Sequence, residues 1–284
     1  MPVITLDLVK ELRGRTGIGI GKCKAALEEA AGDIELAIAN LRKAGMTSAT
    51  KKAGRETNEG LVGTAQTGDA IAMIEVNSET DFVARNERFL QFVHNMALEA
   101  AETKPVDLAS FIQQKNSEEP TLSNDEVRAV VVQTLGENIQ IGRCKVIERK
   151  KNCSYGVYSH MNGRIVVLVE LEGSSDEEGL ARDIGMHIAA EAPDYLSSDD
   201  VPAEVKAKEE DIARSQIKGK PENIMEKILI GKMKAFYDQA CLLQQKFVKN
   251  SDVTVQQLVE SRSKELGKPL KVLQFLRWEV GEEA

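Results

Sequence analysis

Asp81 and Phe82 stand at the middle of a connection, Val76-Asn77-Ser78-Glu79-Thr80-Asp81-Phe82-Val83-Ala84-Arg85, where a chain ordinarily carries small polar residues. An aromatic ring in a loop is either tucked back into its own core or held out to fill a pocket on a partner. Groups suited to making or breaking bonds are sparse. Of three histidines, His94 and His187 fall within helical patterns with no spaced histidine or carboxylate beside them, which points to packing or capping roles. His160 falls at a hairpin tip and reads as exposed. The four cysteines (Cys23, Cys144, Cys153, Cys241) are widely spread and form no C-x-x-C pair, which argues against a disulfide framework or a zinc site. No G-x-S-x-G or H-E-x-x-H motif occurs. The expectation is a non-enzymatic binding protein without cofactor or metal, carrying several separate contact surfaces.

Composition narrows the partners. A chain of 284 residues has room for two domains or three small ones. Its net charge of -8 disfavours nucleic acid over a broad face, because phosphate contacts need clustered Lys and Arg. The local clusters Arg42-Lys43, Lys51-Lys52-Arg55 and Arg143 to Lys151 read as solvated faces. Aromatics make up only 4% of the chain, so an exposed one is informative. No apolar run approaches the ~20 residues of a membrane span. Met1-Pro2-Val3-Ile4-Thr5 leads straight into a helical pattern rather than a signal peptide. Free thiols and the absence of targeting signals predict a cytoplasmic protein.

The elements that must carry these residues follow from periodicity. Leu8, Val9 and Leu12 mark a first helix, broken at Gly14 and Thr16-Gly17-Ile18-Gly19-Ile20-Gly21. That glycine-rich stretch lacks P-loop spacing and a preceding strand, so a phosphate site is disfavoured; Ile18 and Ile20 read as exposed in a protein-contact loop. A second helix spans Lys22 to Ala31. Gly32-Asp33 stops it and caps a third, striped by Ile34, Ala37, Ile38 and Leu41 and ended by Gly45. Lys43 to Glu59 reads as a linker. Strands at Leu61–Gln66 and Ala70–Val76 form a hairpin. A helix capped by Asn86 carries Phe89, Val93, Met96 and Ala100, and another spans Asp125 to Leu135 with Val127, Val130, Val131 and Thr134 on one face. A strand from Ile139 to Glu148 switches parity at Gly142, which predicts a bulge, with Arg143, Lys145 and Arg149 on its solvent face.

A second hairpin runs from Tyr155 to Leu171 through Asn162-Gly163, and a helix with Leu180, Ile184 and Ile188 follows. Gly68 to Val76 matches Gly163 to Leu171, so the core is a weak duplication of a strand-strand-helix unit. The copies differ where strand joins helix. The second uses Glu172-Gly173-Ser174-Ser175-Asp176-Glu177-Glu178, all small or acidic; the first uses the longer loop with Phe82. The fold works without an aromatic there, which favours a partner-contacting Phe82. Between Pro193 and Phe236, thin stripes of Val205, Ile212, Ile217 and Ile224, Ile228, Met233 predict a projecting helical hairpin turned at Gly219-Lys220-Pro221, able to pair with a second copy. From Phe236 the chain returns to the body. A short helix at Val255 to Val259 and a last strand from Leu270 to Val280 close it, with Trp278 in the sheet core. The class is α+β, with boundaries at 1–55 (three-helix module), 56–140 (first core half), 141–192 with 237–284 (second half) and 193–236 (inserted hairpin).

Glu75-Val76-Asn77-Ser78-Glu79-Thr80-Asp81-Phe82-Val83-Ala84 resembles the signature loop of the translation elongation factor Ts family, and Leu12-Arg13 with Thr16-Gly17, Gly19 and Lys24 to Leu27 resembles its N-terminal signature. Lys51 to Arg55, Gly136 to Ile139, Met186 to Ala190 and Arg277 to Glu282 are similar too, in order along nearly the whole chain. The resemblance implies a guanine nucleotide exchange factor for the GTPase elongation factor Tu, with a ubiquitin-associated-like N-terminal module and two related α/β halves. It implies that Thr80, Asp81, Phe82 and Val83 intrude beside the partner's magnesium and phosphates. Arg13, Ile18, Ile20 and Gly21 would form an N-terminal contact supplying affinity more than mechanism, separable from a core that folds without it. His160 would touch another partner domain, and the helical hairpin would be dispensable for exchange. The alternative from the residues alone is a ubiquitin-associated-like adaptor or chaperone for helical clients.

Overall fold

The computed structural model describes residues 4–217 and 221–282, so Gly219-Lys220 of the expected turn lies outside the described residues. The chain is α+β and divides into two units, Met1–Arg149 with Glu279–Ala284, and Lys150–Trp278. The sequence boundary at 140 moves because the strand it cuts belongs wholly to the first sheet.

The first unit starts with α1 (Leu6–Thr16), α2 (Ile20–Glu29) and α3 (Ile34–Lys52). Thr5 and Asp33 cap α1 and α3 by accepting amide hydrogen bonds from Leu8 and Leu36. Gly17 ends α1 at φ 69°, a left-handed conformation that other residues adopt at a cost. Val9, Leu12, Leu27, Ile38 and Leu41 form the module's core. Two expectations fail here. Ile18 is in that core, only 2% exposed: Gly17 turns the chain at φ 69° and the side chain packs in the cluster of Leu12 and Leu27. Gly45 does not end α3: the helix continues to Lys52, so much of the expected linker is helical.

After α3 come β1 (Glu59–Gln66), β2 (Ala70–Ser78), α4 (Asp81–Ala84), α5 (Glu87–Thr103), α6 (Leu108–Gln113), α7 (Asn124–Leu135) and β3 (Ile139–Glu148). The sheet is antiparallel in the order β1-β2-β3. β2 is buried along its whole length, and Phe89, Val93, Met96 and Ala100 of α5 pack in the main cluster as their spacing predicts. The bulge falls where parity switched: Glu75 pairs with Arg143 and Val76 with Ile141, leaving Gly142 unmatched. Arg143 is not on a solvent face. Its Nε donates to Glu75 Oε2 at 2.6 Å, and both side chains are largely buried, because the bulge turns the guanidinium toward the centre of the sheet. His94 is exposed on α5 rather than packed.

α3 lies against α7. A Cβ on Gly45 would stand 3.1 Å from Gln133 Oε1 and 3.4 Å from the Ala129 carbonyl, so glycine permits the close crossing. Beyond it Ala49 shares the cluster of Phe89, Met96 and Val132, which makes the end of α3 part of the core. Lys22 Nζ donates to the Gln133 carbonyl at 3.1 Å, near the exposed C-terminus of α7.

The second unit holds β4 (Cys153–His160), β5 (Ile165–Glu172), α8 (Glu178–Glu191), α9 (Ala203–Gln216), α10 (Glu222–Ala240), β6 (Lys246–Phe247), β7 (Asn250–Thr254), α11 (Val255–Leu266) and β8 (Lys271–Glu279). Its main sheet has the order β4-β5-β8, again three-stranded. Trp278 is half-buried on β8. The seam between α9 and α10 is Ala213, Ile217, Leu229 and Met233. Ile212 and Ile224, expected in that seam, are 41% and 44% exposed, because each lies one helical step from the residues facing inward. Phe236 stays in α10, which runs on to Ala240 before the chain leaves the hairpin.

Candidate functional site

The turn after β2 is assembled from residues with fixed internal tasks. Thr80 caps α4: its hydroxyl accepts from the Val83 amide at 3.3 Å and donates to Glu137 Oε1 at 2.7 Å. The Thr80 amide donates to the other oxygen of the same carboxylate at 3.0 Å. Ser78 Oγ donates to the Thr80 carbonyl at 3.0 Å. Val83 packs on the main cluster beside buried Ala84. Asp81 pairs with Arg85 across the turn at 3.0 Å. Phe82 alone has no inward partner and stands 82% exposed. A phenyl ring so placed loses hydration only when a partner covers it, and the braced backbone spares it the entropy of ordering on contact.

Of the four expected contact residues in this turn, Phe82 and Asp81 are therefore available to a partner, while the Thr80 hydroxyl and the Val83 side chain hold the turn together. Three residues that sequence reading named only within longer stretches, Arg55 among those expected on a solvated face, complete it. Glu137 supplies both acceptors for Thr80. Glu79 accepts from the Asn138 amide at 2.5 Å and from Arg55 Nη1 at 3.2 Å. Arg55 follows α3, and its own carbonyl accepts from Asn138 Nδ2 at 2.9 Å. The sequence cues for Glu137 were its place in the family-like stretch Gly136 to Ile139 and its position between Gly136, which ends α7 at φ 86°, and the strand that begins at Ile139.

In the N-terminal module, Arg13, Ile20 and Gly21 are exposed, and nothing lies within 4 Å of a Cβ on Gly21. Ile20 keeps 52% of its surface in water. Ile18 drops out of this set: its side chain is core and its carbonyl accepts from Cys23 Sγ at 3.3 Å. In the second unit, Asn162 (φ 55°) and Gly163 (φ 96°) turn the hairpin beside His160. His160 is exposed, its ring stacked on Tyr158 with centroids 6.2 Å apart.

The remaining reactive groups are quiet. Burial pushes the thiols of Cys144 and Cys241 up to about 11, which keeps them protonated and poorly nucleophilic. Burial lowers the pKa of His187, opposed by its bond to Gln245. Among the described residues, no cluster of His, Cys, Asp or Glu could hold a metal ion, and no helix is long and apolar enough to cross a membrane.

The sequence model of the family described as Elongation factor TS matches residues 79–282, starting at the glutamate that braces the Phe82 turn. Elongation factor Ts of Protochlamydia amoebophila (strain UWE25) is 56% identical over 282 residues, 99% of this chain and 100% of that protein. Elongation factor Ts of Chlamydia muridarum (strain MoPn / Nigg) is 46% identical, and that of Chlamydia pneumoniae 44%, each over 281 residues, 99% of this chain and all of the relative. With the family match running through both units and these relatives covered over their whole length, the chain belongs to the elongation factor Ts family of translation factors.

Proposed function

We propose that the protein binds the GTPase elongation factor Tu in the cytoplasm and promotes release of its GDP during translation elongation. The observation that carries this reading is Phe82, 82% exposed on a turn held by Thr80 and Val83. A ring and a carboxylate pushed together toward a bound nucleotide act on its strongest restraint, the magnesium ion and the phosphates it holds. Asp81 offers the charge that competes for the cation, and Phe82 the bulk that occupies the space of the phosphate loop. Coupling is reciprocal: a factor that weakens nucleotide binding is itself bound less tightly when nucleotide returns. Stabilising the nucleotide-poor state therefore suffices, and excess GTP completes the exchange. No catalytic side chain, cofactor or metal of the protein's own is needed.

Arg13, Ile20 and Gly21 form the N-terminal contact in this reading, and His160 a separate contact from the second unit; nucleic acid and membranes are not partners. The α9–α10 hairpin serves self-association through its exposed Ile212, Ile224 and Ile230 and is dispensable for exchange. The deciding experiment is release of fluorescent GDP from elongation factor Tu with and without the full chain. Acceleration that saturates with the concentration of the chain is expected. Unchanged release alongside capture of isolated helical peptides would favour an adaptor instead.

A further inference from the structure

We infer that Arg55 is a positioning residue for the Phe82 turn, so that the end of α3 sets the rate of exchange and not merely the grip on the partner. The inference rests on the exchange reading above. Two carboxylates brace the turn reciprocally. Glu79, in the segment that leaves β2, holds the amide of Asn138 at the start of β3. Glu137, one residue earlier, holds the amide and hydroxyl of Thr80. These two acids face the same small region, and like charges drawn together there repel. Two cations offset them: Lys52 acts on both acids through space, and Arg55 makes the direct contact, one guanidinium nitrogen lying 3.2 and 3.4 Å from the two oxygens of Glu79.

Arg55 is also fixed at its backbone. Its amide donates to the Lys52 carbonyl at 2.9 Å, its carbonyl accepts from buried Asn138, and the Ala53 carbonyl accepts from Gln140 Nε2 at 3.1 Å. The segment after α3 thus joins Asn138, just before β3, and Gln140 on it by two side-chain bonds, and the turn by an ion pair. Upstream, α3 is seated on α7 through Gly45 and Ala49. The path from module to Phe82 is continuous: α3 on α7, Arg55 to Glu79, Glu79 and Glu137 across to Asn138 and Thr80, Thr80 to the helical turn that carries the ring. Removing Arg55 leaves the Glu79 side chain, which is only about one-fifth exposed, without its hydrogen-bonded cation and lets the turn sample other arrangements. A ring that must enter a partner's site in one orientation is then correctly placed in a smaller fraction of the complexes formed.

The test uses the full chain carrying Arg55→Ala, Arg55→Lys or Glu79→Gln, each measured two ways. Stopped-flow release of fluorescent GDP from elongation factor Tu, over a range of factor concentrations, separates the maximal rate from half-saturation. Amide hydrogen exchange of the free chain over residues 79–86 reads the order of the turn with no partner present. Arg55→Ala should lower the maximal rate about 3- to 5-fold, as for loss of a partly exposed ion pair, and leave half-saturation within about twofold. It should also speed exchange at the Thr80 and Val83 amides, and Arg55→Lys should restore much of both. Unaltered amide protection overturns the inference, as does a rise in half-saturation at constant maximal rate, which would make Arg55 a direct contact. If the unsubstituted chain fails to accelerate GDP release, the exchange reading falls instead, while the amide measurement still reports whether Arg55 orders the turn.

Discussion

Phe82 is the residue on which the exchange reading can be most directly tested. Phe82→Ala should slow partner-stimulated GDP release roughly 10- to 100-fold, equivalent to about 1.4–2.8 kcal/mol. Its melting temperature should hardly move, because a buried Phe→Ala costs about 3–5 kcal/mol and this ring fills no cavity. Calorimetry and stopped-flow release on one preparation decide it: a large loss of stability with unchanged release would return Phe82 to the core. His187 makes a different prediction. It is buried, Nδ1 accepts from the Val248 amide at 3.2 Å and Nε2 lies 2.9 Å from Gln245 Oε1, an arrangement that needs the neutral ring. Burial, the first cause, lowers its pKa below the ~6.5 of the unfolded chain, so its contribution is full above that value and drains away as pH falls below it. Between pH 7.5 and 5.5, unfolding free energies from urea titrations should fall more steeply for the native chain than for His187→Asn, by at most about 1.4 kcal/mol per pH unit for one proton. The exposure of Phe82 was legible because an internal copy lacks the ring. The burial of Ile18 was not, because an isoleucine among glycines has no local periodicity to say which way it faces. The bracing roles of Glu137 and Arg55 were hidden for a related reason: their partners are 57 and 24 residues away.

Between elements, the glycines carry information that their letters do not. In each half a helix crosses the first strand of the hairpin at a glycine. A Cβ on Gly63 would meet Val93 of α5 at 2.5 Å, and one on Gly156 would meet Ala181 of α8 at 2.2 Å. Gly63 pairs with Ile74 and Gly156 with Val169, positions that the duplication equates. The repeat thus extends to the packing of helix on sheet, beyond the residues whose identities reveal it. Gly45 belongs to the same class, though its place after an apolar stripe made it look like a helix stop. Gly45→Ala should be nearly neutral, since the helix gains about 1 kcal/mol while the Gln133 side chain can give way at 3.1 Å. Gly45→Val should cost about 1–3 kcal/mol by forcing α3 off the Ala129 carbonyl. Chemical denaturation of the two variants distinguishes a crossing point from a mere helix end: equal effects would count against the crossing. The bulge at Gly142 was readable because parity is a local property; the Glu75–Arg143 pair it creates was not.

Across the whole molecule, the expectation of a removable N-terminal module gives way to one that is seated on α7. A chain starting at Arg55 should therefore lose stability as well as partner affinity, with a first thermal transition several degrees lower than in the full chain, because α7 loses the cover of α3 over Ala129 and Gln133. An unchanged transition in calorimetry would restore the picture of a tethered module. The α+β class, the duplication and the helical hairpin were all legible from periodicity. The unit boundary was not, because it depends on which sheet claims β3, and strand pairing is a long-range choice. The final residues show what such choices imply for synthesis. Buried Glu75 accepts from the Gly281 amide at 3.1 Å across 206 residues of chain, and Arg143 donates to the Glu279 carbonyl at 2.9 Å across 136. Everything from Lys150 to Trp278 leaves the ribosome between the two halves of this clasp. The unit that is begun first is thus completed last, and a nascent chain halted before Glu279 carries its central ion pair with the clasp still open.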